Sequence, residues 1–167
     1  HVFEYNFNTE CGLQNTDGSS LYMAHASVVE SVTRYNWFIG NGQRDFRWDG
    51  NNKPLQGVRA NLYRNVAVGT KLKRYSPSGG DGFRVKGSYH EVFNNTGLGR
   101  GGELNIAISK GGNEQTATRN NAATKLTDSP IPGTTSNNYG DKLKGPTKLS
   151  SMLRDPANWD FRPKPDA

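Results

Sequence analysis

The chain has 167 residues and a formal charge of +6, and hydrophobic residues make up only 32% of it. Gly, Pro and Asn are spread along its length, and no long apolar run occurs, which excludes a membrane-spanning helix. A single cysteine excludes an internal disulfide framework. Because seventeen aromatic residues are too many for a disordered chain, we predict one folded, turn-rich domain made mostly of β-strands.

Five short segments that share an asparagine recur at nearly constant spacing along the chain. They are FEYNFN (3–8), TRYNWF (33–38), YRNVAV (63–68), FNNTGL (93–98) and RNNAAT (119–124), with the aligned asparagines Asn6, Asn36, Asn65, Asn95 and Asn121. Successive asparagines are separated by roughly 30 residues, with a slightly shorter last step. Second β-like runs such as DFRWDG (45–50) and GFRVKG (82–87) lie between them, so each repeat is predicted to hold at least two strands.

A repeat of this length, built from short strands and polar bends, is typical of a parallel β-helix, and it lacks the apolar spacing of a helical solenoid. We therefore predict an all-β fold, a parallel β-helix of about five coils over residues 1–126. Equivalent residues of successive coils would lie about 4.8 Å apart. The aligned asparagines are then predicted to form a structural ladder of side-chain amides at a bend of the chain.

The pattern changes after residue 126, where prolines become frequent and no further β repeat is visible. Residues 127–167 are therefore predicted to form an irregular C-terminal cap or tail. Within this segment, residues 146–154 fit one short helix whose Leu149, Met152 and Leu153 would face the end of the core. Earlier in the chain, segment 71–81 is basic and then rich in Gly, Pro and Ser, which predicts a projecting loop of the kind that binds ligands.

Several pieces of the sequence resemble a known family. The pieces RYNWFIGNGQRDFRWDG, GFRVKGSYHEVFNNTGLG and ATRNNAA, with the ending DPANWDFRPKPDA, resemble the last coils of secreted right-handed parallel β-helix proteins of the pectate-lyase-like superfamily. The resemblance covers roughly residues 1–165. It implies right-handed coils, a location outside the cell, and binding or cleavage of an acidic polysaccharide such as pectate or alginate.

The resemblance also implies candidate catalytic and metal-binding residues. In pectate lyases that use one Lys as the base, this Lys stands in a G-F-K context, which Gly82-Phe83-Arg84 matches with Arg in place of Lys. Arg84 is thus the first candidate base, and Lys86, two residues on and on the same strand face, is the second. Calcium in those lyases is held by Asp side chains, so calcium is the expected cofactor, with Asp45, Asp49 and Asp81 as its candidate ligands.

β-Elimination of a uronate requires a base for the C5 proton and cations that neutralise the carboxylate. Arg47 and Arg84 occupy similar positions in their repeats and, with Lys86, would supply those cations. His90 is a further candidate for acid–base work. An alternative for the cations is that alternating Arg and Lys residues keep an exposed sheet face soluble. An alternative for His90 is that it is an ordinary turn or surface residue.

Aromatic residues beside basic ones suit stacking on sugar rings combined with ion pairing to acidic groups. The candidate substrate-binding residues are therefore Trp48, Tyr75, Lys73 and Arg74, with core packing as the alternative for the aromatic ones. The same positive charge would suit nucleic acid, but no helix-turn-helix, zinc-finger or RNP-like motif is present.

Two functions remain open for the chain. The first is a polysaccharide lyase acting on a uronate polymer, which needs a working base and calcium. The second is a non-catalytic glycan-binding or self-assembling β-helix module, which needs neither. Because the repeat begins at Val2-Phe3 without a cap, we also expect either preceding coils or another copy of the chain to cover the first coil.

Overall fold

The computed structural model describes residues 1–11, 18–41, 44–50, 57–69, 82–98, 103–106, 115–127, 134–140 and 148–166. The first nine strands are β1 (Val2–Glu4), β2 (Phe7–Thr9), β3 (Leu21–Ala24), β4 (Val32–Arg34), β5 (Trp37–Ile39), β6 (Phe46–Asp49), β7 (Asn61–Tyr63), β8 (Val66–Val68) and β9 (Phe83–Lys86). The others are β10 (Glu91–Phe93), β11 (Thr96–Leu98), β12 (Glu103–Ile106), β13 (Ala117–Arg119), β14 (Ala122–Ala123), β15 (Lys125–Thr127), β16 (Thr135–Ser136), β17 (Tyr139–Gly140), β18 (Leu153–Asp155) and β19 (Asp160–Pro163). Helix α1 spans Leu149–Met152, and two 3-10 turns span His25–Val28 and Pro156–Asn158.

Seventeen of these strands form three parallel sheets. Sheet A has the order β1-β4-β7-β10-β13-β16, sheet B has β2-β5-β8-β11-β14-β17, and sheet C has β3-β6-β9-β12-β15. We call each successive set of one strand from A, B and C a coil. The chain is therefore all-β with stacked parallel sheets, an architecture compatible with a parallel β-helix.

The pairing register follows the spacing of the sequence repeat. In sheet A the residues paired from coil to coil are Phe3, Thr33, Leu62, Val92 and Thr118. The steps between these positions are the same as those between the aligned asparagines, namely 30, 29, 30 and 26. One sequence repeat therefore corresponds to one coil.

The core lies between the three sheets. Because successive side chains of a strand point to opposite faces, the middle residue points inward in β4 and β7 of sheet A and in β5 and β8 of sheet B. In sheet C the first and third residues of β6 and β9 do so. Fully buried core side chains include Phe38, Phe46, Trp48, Leu62, Phe83, Val85 and Val92. Each contributes about 1.5–3 kcal/mol by leaving water.

A row of asparagines runs along the bend between sheets A and B. The backbone N–H and the side-chain Nδ2 of Asn36 both donate to Oδ1 of Asn65, at 3.1 and 3.0 Å. Asn65 donates in the same way to Asn95, and Asn95 to Asn121. The row also includes Asn6 at one end and Asn138 at the other.

The residue before each of these asparagines has a left-handed backbone, with φ between +50° and +56°. The residues at this position are Tyr5, Tyr35, Arg64, Asn94, Asn120 and Asn137. At the bend, the flanking strands leave some polar backbone groups without a partner. The asparagine side chains donate hydrogen bonds to strand carbonyls; for example, Nδ2 of Asn95 donates to the carbonyl oxygen of Leu62 at 2.9 Å. Bend and ladder thus satisfy each other's hydrogen bonds.

The sheets continue beyond residue 126, where the sequence shows no β repeat. Strands β16 and β17 pair with β13 and β14, and Asn138 extends the ladder. The short segment TSNNYG has almost no apolar residues, so hydrophobic alternation does not identify it as a coil.

The C-terminal segment packs on the outer face of sheet B rather than on the end of the core. Leu149 of α1 and Leu153 of β18 are buried against Leu98 of sheet B. Strands β18 and β19 form an antiparallel hairpin, and Trp159, in the turn between them, lies 5.3 Å from Phe7 of the first coil by ring centroids. No helix in the described ranges is long and apolar enough to cross a membrane.

The ladder makes a specific prediction about stability. Asn95→Ala removes the acceptor of both donors of Asn65, the side-chain donor to the carbonyl of Leu62, and one of the two donors to Oδ1 of Asn121, all in a buried bend. The free energy of unfolding should therefore fall by about 3 kcal/mol. Asn94→Gly is the matched control, because Asn94 is exposed and its φ of +56° suits glycine. Urea unfolding of both variants measures the difference, and equal stabilities would contradict the role of the ladder.

Candidate functional site

The outer face of sheet C brings the charged residues of strands β6 and β9 together with Tyr22 of β3. The parallel register places Tyr22 beside Arg47 and Arg47 beside Arg84. The next outward positions place Asp49 beside Lys86. Because the positions between them hold the buried Phe46, Trp48, Phe83 and Val85, the charged residues share one face.

Asp49 is the centre of this face. Its carboxylate accepts a hydrogen bond from the Tyr22 hydroxyl at 3.0 Å, pairs with Arg47, and lies 2.5 Å from Nζ of Lys86. The guanidinium of Arg47 also lies over the Tyr22 ring, 5.0 Å from its centroid. We call Tyr22, Arg47, Asp49 and Lys86 the Asp49 cluster.

The Asp49 cluster is partly shielded from water. The side chains of Arg47, Asp49 and Lys86 are 13%, 17% and 21% exposed, whereas Tyr22 is 53% exposed. Burial alone would raise the pKa of Asp49, but hydrogen bonds from Lys86, Arg47 and Tyr22 outweigh it and lower this pKa to about 2. The carboxylate is therefore ionised at neutral pH and holds its cations in fixed positions.

No residue of the Asp49 cluster is suited to accept a proton near neutral pH. Asp49 is too weak a base, Arg47 stays protonated at any ordinary pH, and the ammonium group of Lys86 is engaged by the Asp49 carboxylate. Arg84 is equally a permanent cation. Strands β6 and β9 thus place three cations and one carboxylate on this face.

His90 lies in the interior and not on this face. It is fully buried, its Nδ1 accepts the backbone N–H of Ala60 at 3.1 Å, and its Nε2 lies 3.2 Å from the carbonyl oxygen of Lys86. Because Nδ1 accepts, Nε2 carries the proton and donates to that carbonyl. Burial lowers the pKa of His90 to about 4 despite this hydrogen bond. The ring is a neutral structural link between coils and is not available for proton transfer to a ligand.

Two other residues proposed from the sequence are also interior. Trp48 is fully buried, with its ring 5.0 Å from that of His90, so it is a core residue and not a sugar-stacking surface. Asp45 is buried at the bend before β6, where it accepts a hydrogen bond from Asn41 at 2.7 Å, and burial raises its pKa well above the usual value. Lys73, Arg74, Tyr75 and Asp81 lie outside the described residues.

The described acidic residues do not fit a calcium site. Asp49 is surrounded by cations, whereas Asp45 points into a buried bend, so the two carboxylates do not converge on one point. No group of three or more His, Cys, Asp or Glu side chains that would hold a metal occurs in the part of the chain that the structure describes. A hard cation that prefers six to eight oxygens has no adequate set of ligands among them.

Sequence analysis did not identify Tyr22 as a site residue. The available signal was the position of SLYMAH in its repeat, since this segment corresponds to DFRWDG in the next repeat and places Tyr22 beside Arg47.

No protein family model, no curated protein and no solved structure matches the chain. The function is therefore inferred from the geometry and chemistry of the residues themselves.

The low pKa of Asp49 predicts how the stability of the protein changes in acid. A depressed folded-state pKa means that the ionised carboxylate stabilises the fold above pH 3.8 and that this contribution is lost as the pH falls towards about 2. Asp49→Asn should therefore be less stable than the parent at neutral pH, with the difference shrinking between about pH 4 and pH 2. Denaturant unfolding of both proteins over this pH range measures the difference in their free energies of unfolding. A difference that did not change with pH would contradict the ion pairs.

His90 predicts a second pH effect in a separate window. The unfolded chain protonates this histidine at its ordinary pKa of 6.5, whereas in the fold its pKa is about 4, so stability should fall as the pH is lowered from about 6.5 to 4. His90→Gln should remove this slope, whatever its absolute stability. If the free energy of unfolding changed with pH by the same amount in the variant and in the parent across this window, His90 would not be a buried neutral group.

Proposed function

We propose that this chain is a glycan-binding β-helix module that holds an acidic polysaccharide on the outer face of sheet C without cleaving it. The observation that carries the proposal is the Asp49 cluster with Arg84 beside it. This arrangement fixes cations on neighbouring coils around a single carboxylate of β6. Fixed cations bind anions without first losing side-chain freedom.

The chemistry of these residues suits carboxylate or sulfate groups on a sugar chain. Arginine presents a planar fork that pairs with a carboxylate through two parallel hydrogen bonds. Tyr22, more than half exposed, offers a ring edge or face beside Arg47 for contact with a sugar ring. Because cations on adjacent strands are spaced by about 4.8 Å, a polymer with a charge on each sugar would lie along the stack of coils.

Binding is favoured over cleavage because β-elimination needs a proton acceptor. Asp49, with a pKa of about 2, would accept a proton only in strong acid, and the cations around it donate rather than accept. A lyase remains the second candidate. The observation in its favour is the side-by-side position of Arg47 and Arg84, which would neutralise the carboxylate of a uronate and its developing enolate.

The finer description of the fold is part of the same proposal. We propose right-handed coils and a relationship to secreted proteins of the pectate-lyase-like superfamily. What supports this is the agreement between the repeat steps and the sheet register, together with the segments that resemble the last coils of that family. The expectation that preceding coils or another copy covers the first coil also remains a proposal.

The test measures mobility of the protein in gels containing polygalacturonate, alginate or a sulfated glycan. Retardation by at least one of these polymers is expected, and it should decrease as salt is added. Arg84→Gln should weaken binding roughly tenfold, since hydrogen bonds to charged groups contribute about 1.5–3 kcal/mol. Arg162→Gln is the matched control, because it removes one positive charge from the C-terminal hairpin, where Arg162 is 70% exposed and pairs with Asp160.

The results separate the two candidate functions. Unchanged mobility of the parent protein in every acidic polymer would overturn the binding proposal. Equal weakening by Arg84→Gln and Arg162→Gln would show that net charge, and not the sheet C face, is responsible. The appearance of unsaturated uronate ends, detected by ultraviolet absorbance, would instead establish a lyase.

A further inference from the structure

A second surface, on the outer face of sheet A, consists of aromatic and arginine side chains. Two adjacent rows run along the coils, one at the last residue of each sheet A strand and one at the following left-handed bend. We call these residues the aromatic–arginine stripe: Glu4, Tyr5, Arg34, Tyr35, Tyr63, Arg64, Phe93 and Arg119. The sheet C face and this stripe share no residue.

The rings of the stripe contact one another from coil to coil. Tyr5 and Tyr35 are stacked with their centroids 5.0 Å apart and their planes within 1°. Tyr63 and Phe93 are stacked at 4.6 Å, and Tyr35 meets Tyr63 edge to face at 6.1 Å. The rings therefore form a nearly continuous row over four coils.

Two of the three arginines of the stripe are paired with a carboxylate, one within the stripe and one beside it. Arg34 lies 2.5 Å from Glu4 and donates to the Tyr63 hydroxyl at 2.8 Å. Arg119 pairs with Glu91 next to the stripe and lies over the Phe93 ring, 4.5 Å from its centroid. Arg64 donates to the Tyr35 hydroxyl at 2.6 Å. The stripe thus has little surplus charge but many planar groups that donate and accept hydrogen bonds.

The rings of the stripe differ from those of sheet B in having no hairpin over them, although Tyr35, Tyr63 and Phe93 are partly buried. The aromatic residues on the outer face of sheet B are in contact with rings of the C-terminal hairpin, such as Trp37 with Phe161 at 5.4 Å. The stripe has no such cover among the described residues, and its ring at the first coil, Tyr5, is 72% exposed. Exposed rings rimmed by polar groups are typical of recognition surfaces.

We propose that the aromatic–arginine stripe binds an uncharged polysaccharide chain that lies along the stack of coils. Because the rings are stacked on one another along the coils, their edges would contact the sugars, while the guanidinium, carboxylate and phenol groups exchange hydrogen bonds with sugar hydroxyls. The coil spacing of about 4.8 Å is close to the advance of one pyranose in an extended chain, so successive coils would meet successive sugars. Internal pairing of the charges favours an uncharged ligand over a polyanion, which needs surplus cations.

The test uses the full chain in gels that contain hydroxyethylcellulose, xyloglucan, arabinoxylan or galactomannan. Retardation by at least one of these neutral polymers is expected, with little change between low and high salt. Tyr5→Ala should weaken binding roughly threefold to tenfold, the effect expected for one aromatic contact. Tyr89→Ala is the matched control, because Tyr89 is 51% exposed, is also in a left-handed bend, and lies outside the stripe.

Arg64→Ala is a second stripe variant, which should also weaken binding because it removes an exposed hydrogen-bond donor. Unchanged mobility of the parent in all four polymers would overturn the proposal, and so would equal binding by the parent and both stripe variants. Retardation by acidic polymers that is lost in Tyr5→Ala and in high salt would also overturn it, because the stripe would then bind polyanions. The outcome is independent of the sheet C proposal, since the ligand, the salt dependence and the mutated residues all differ.

Discussion

The hydrogen-bonded row of asparagines at the bend between sheets A and B fixes how each coil lies on the next. Each amide accepts two N–H groups from one neighbouring coil and donates to the next, so a shift of one coil along the strand direction would break four or more hydrogen bonds. A left-handed residue before each asparagine gives every coil the same bend. Register in all three sheets is therefore constrained from one corner of the coil.

A constant register converts a sequence repeat into rows of side chains, and the three outer faces use these rows differently. Sheet C presents arginines and a lysine around one carboxylate, whereas sheet A presents rings and internally paired charges. The outer face of sheet B is apolar enough to hold the C-terminal hairpin. Since alternate residues of a strand point inward, the outward positions are free to differ without disturbing the core.

The sequence predicted the repeat and its length because identical asparagines at nearly constant spacing are visible without any knowledge of contacts. Alternation in DFRWDG and GFRVKG likewise indicates that Arg47 and Arg84 stand at equivalent outward positions. It does not reveal that His90 and Asp45 are buried, because both stand at bends, where no period-two pattern separates inside from outside. The coil at 134–140 has no apolar pattern to detect and is held by Asn138 and backbone pairing instead.

The C-terminal hairpin has a consequence for the cooperativity of unfolding. In a stack in which each coil contacts only its neighbours, the terminal coils open first and independently of the rest. Here Trp159 lies against Phe7 and Trp37 of the first two coils, while Leu149 and Leu153 are buried against Leu98 of the fourth. Fraying of the first coil thus requires the hairpin to lose contacts. The hairpin therefore couples the first coil to coils that are distant along the stack.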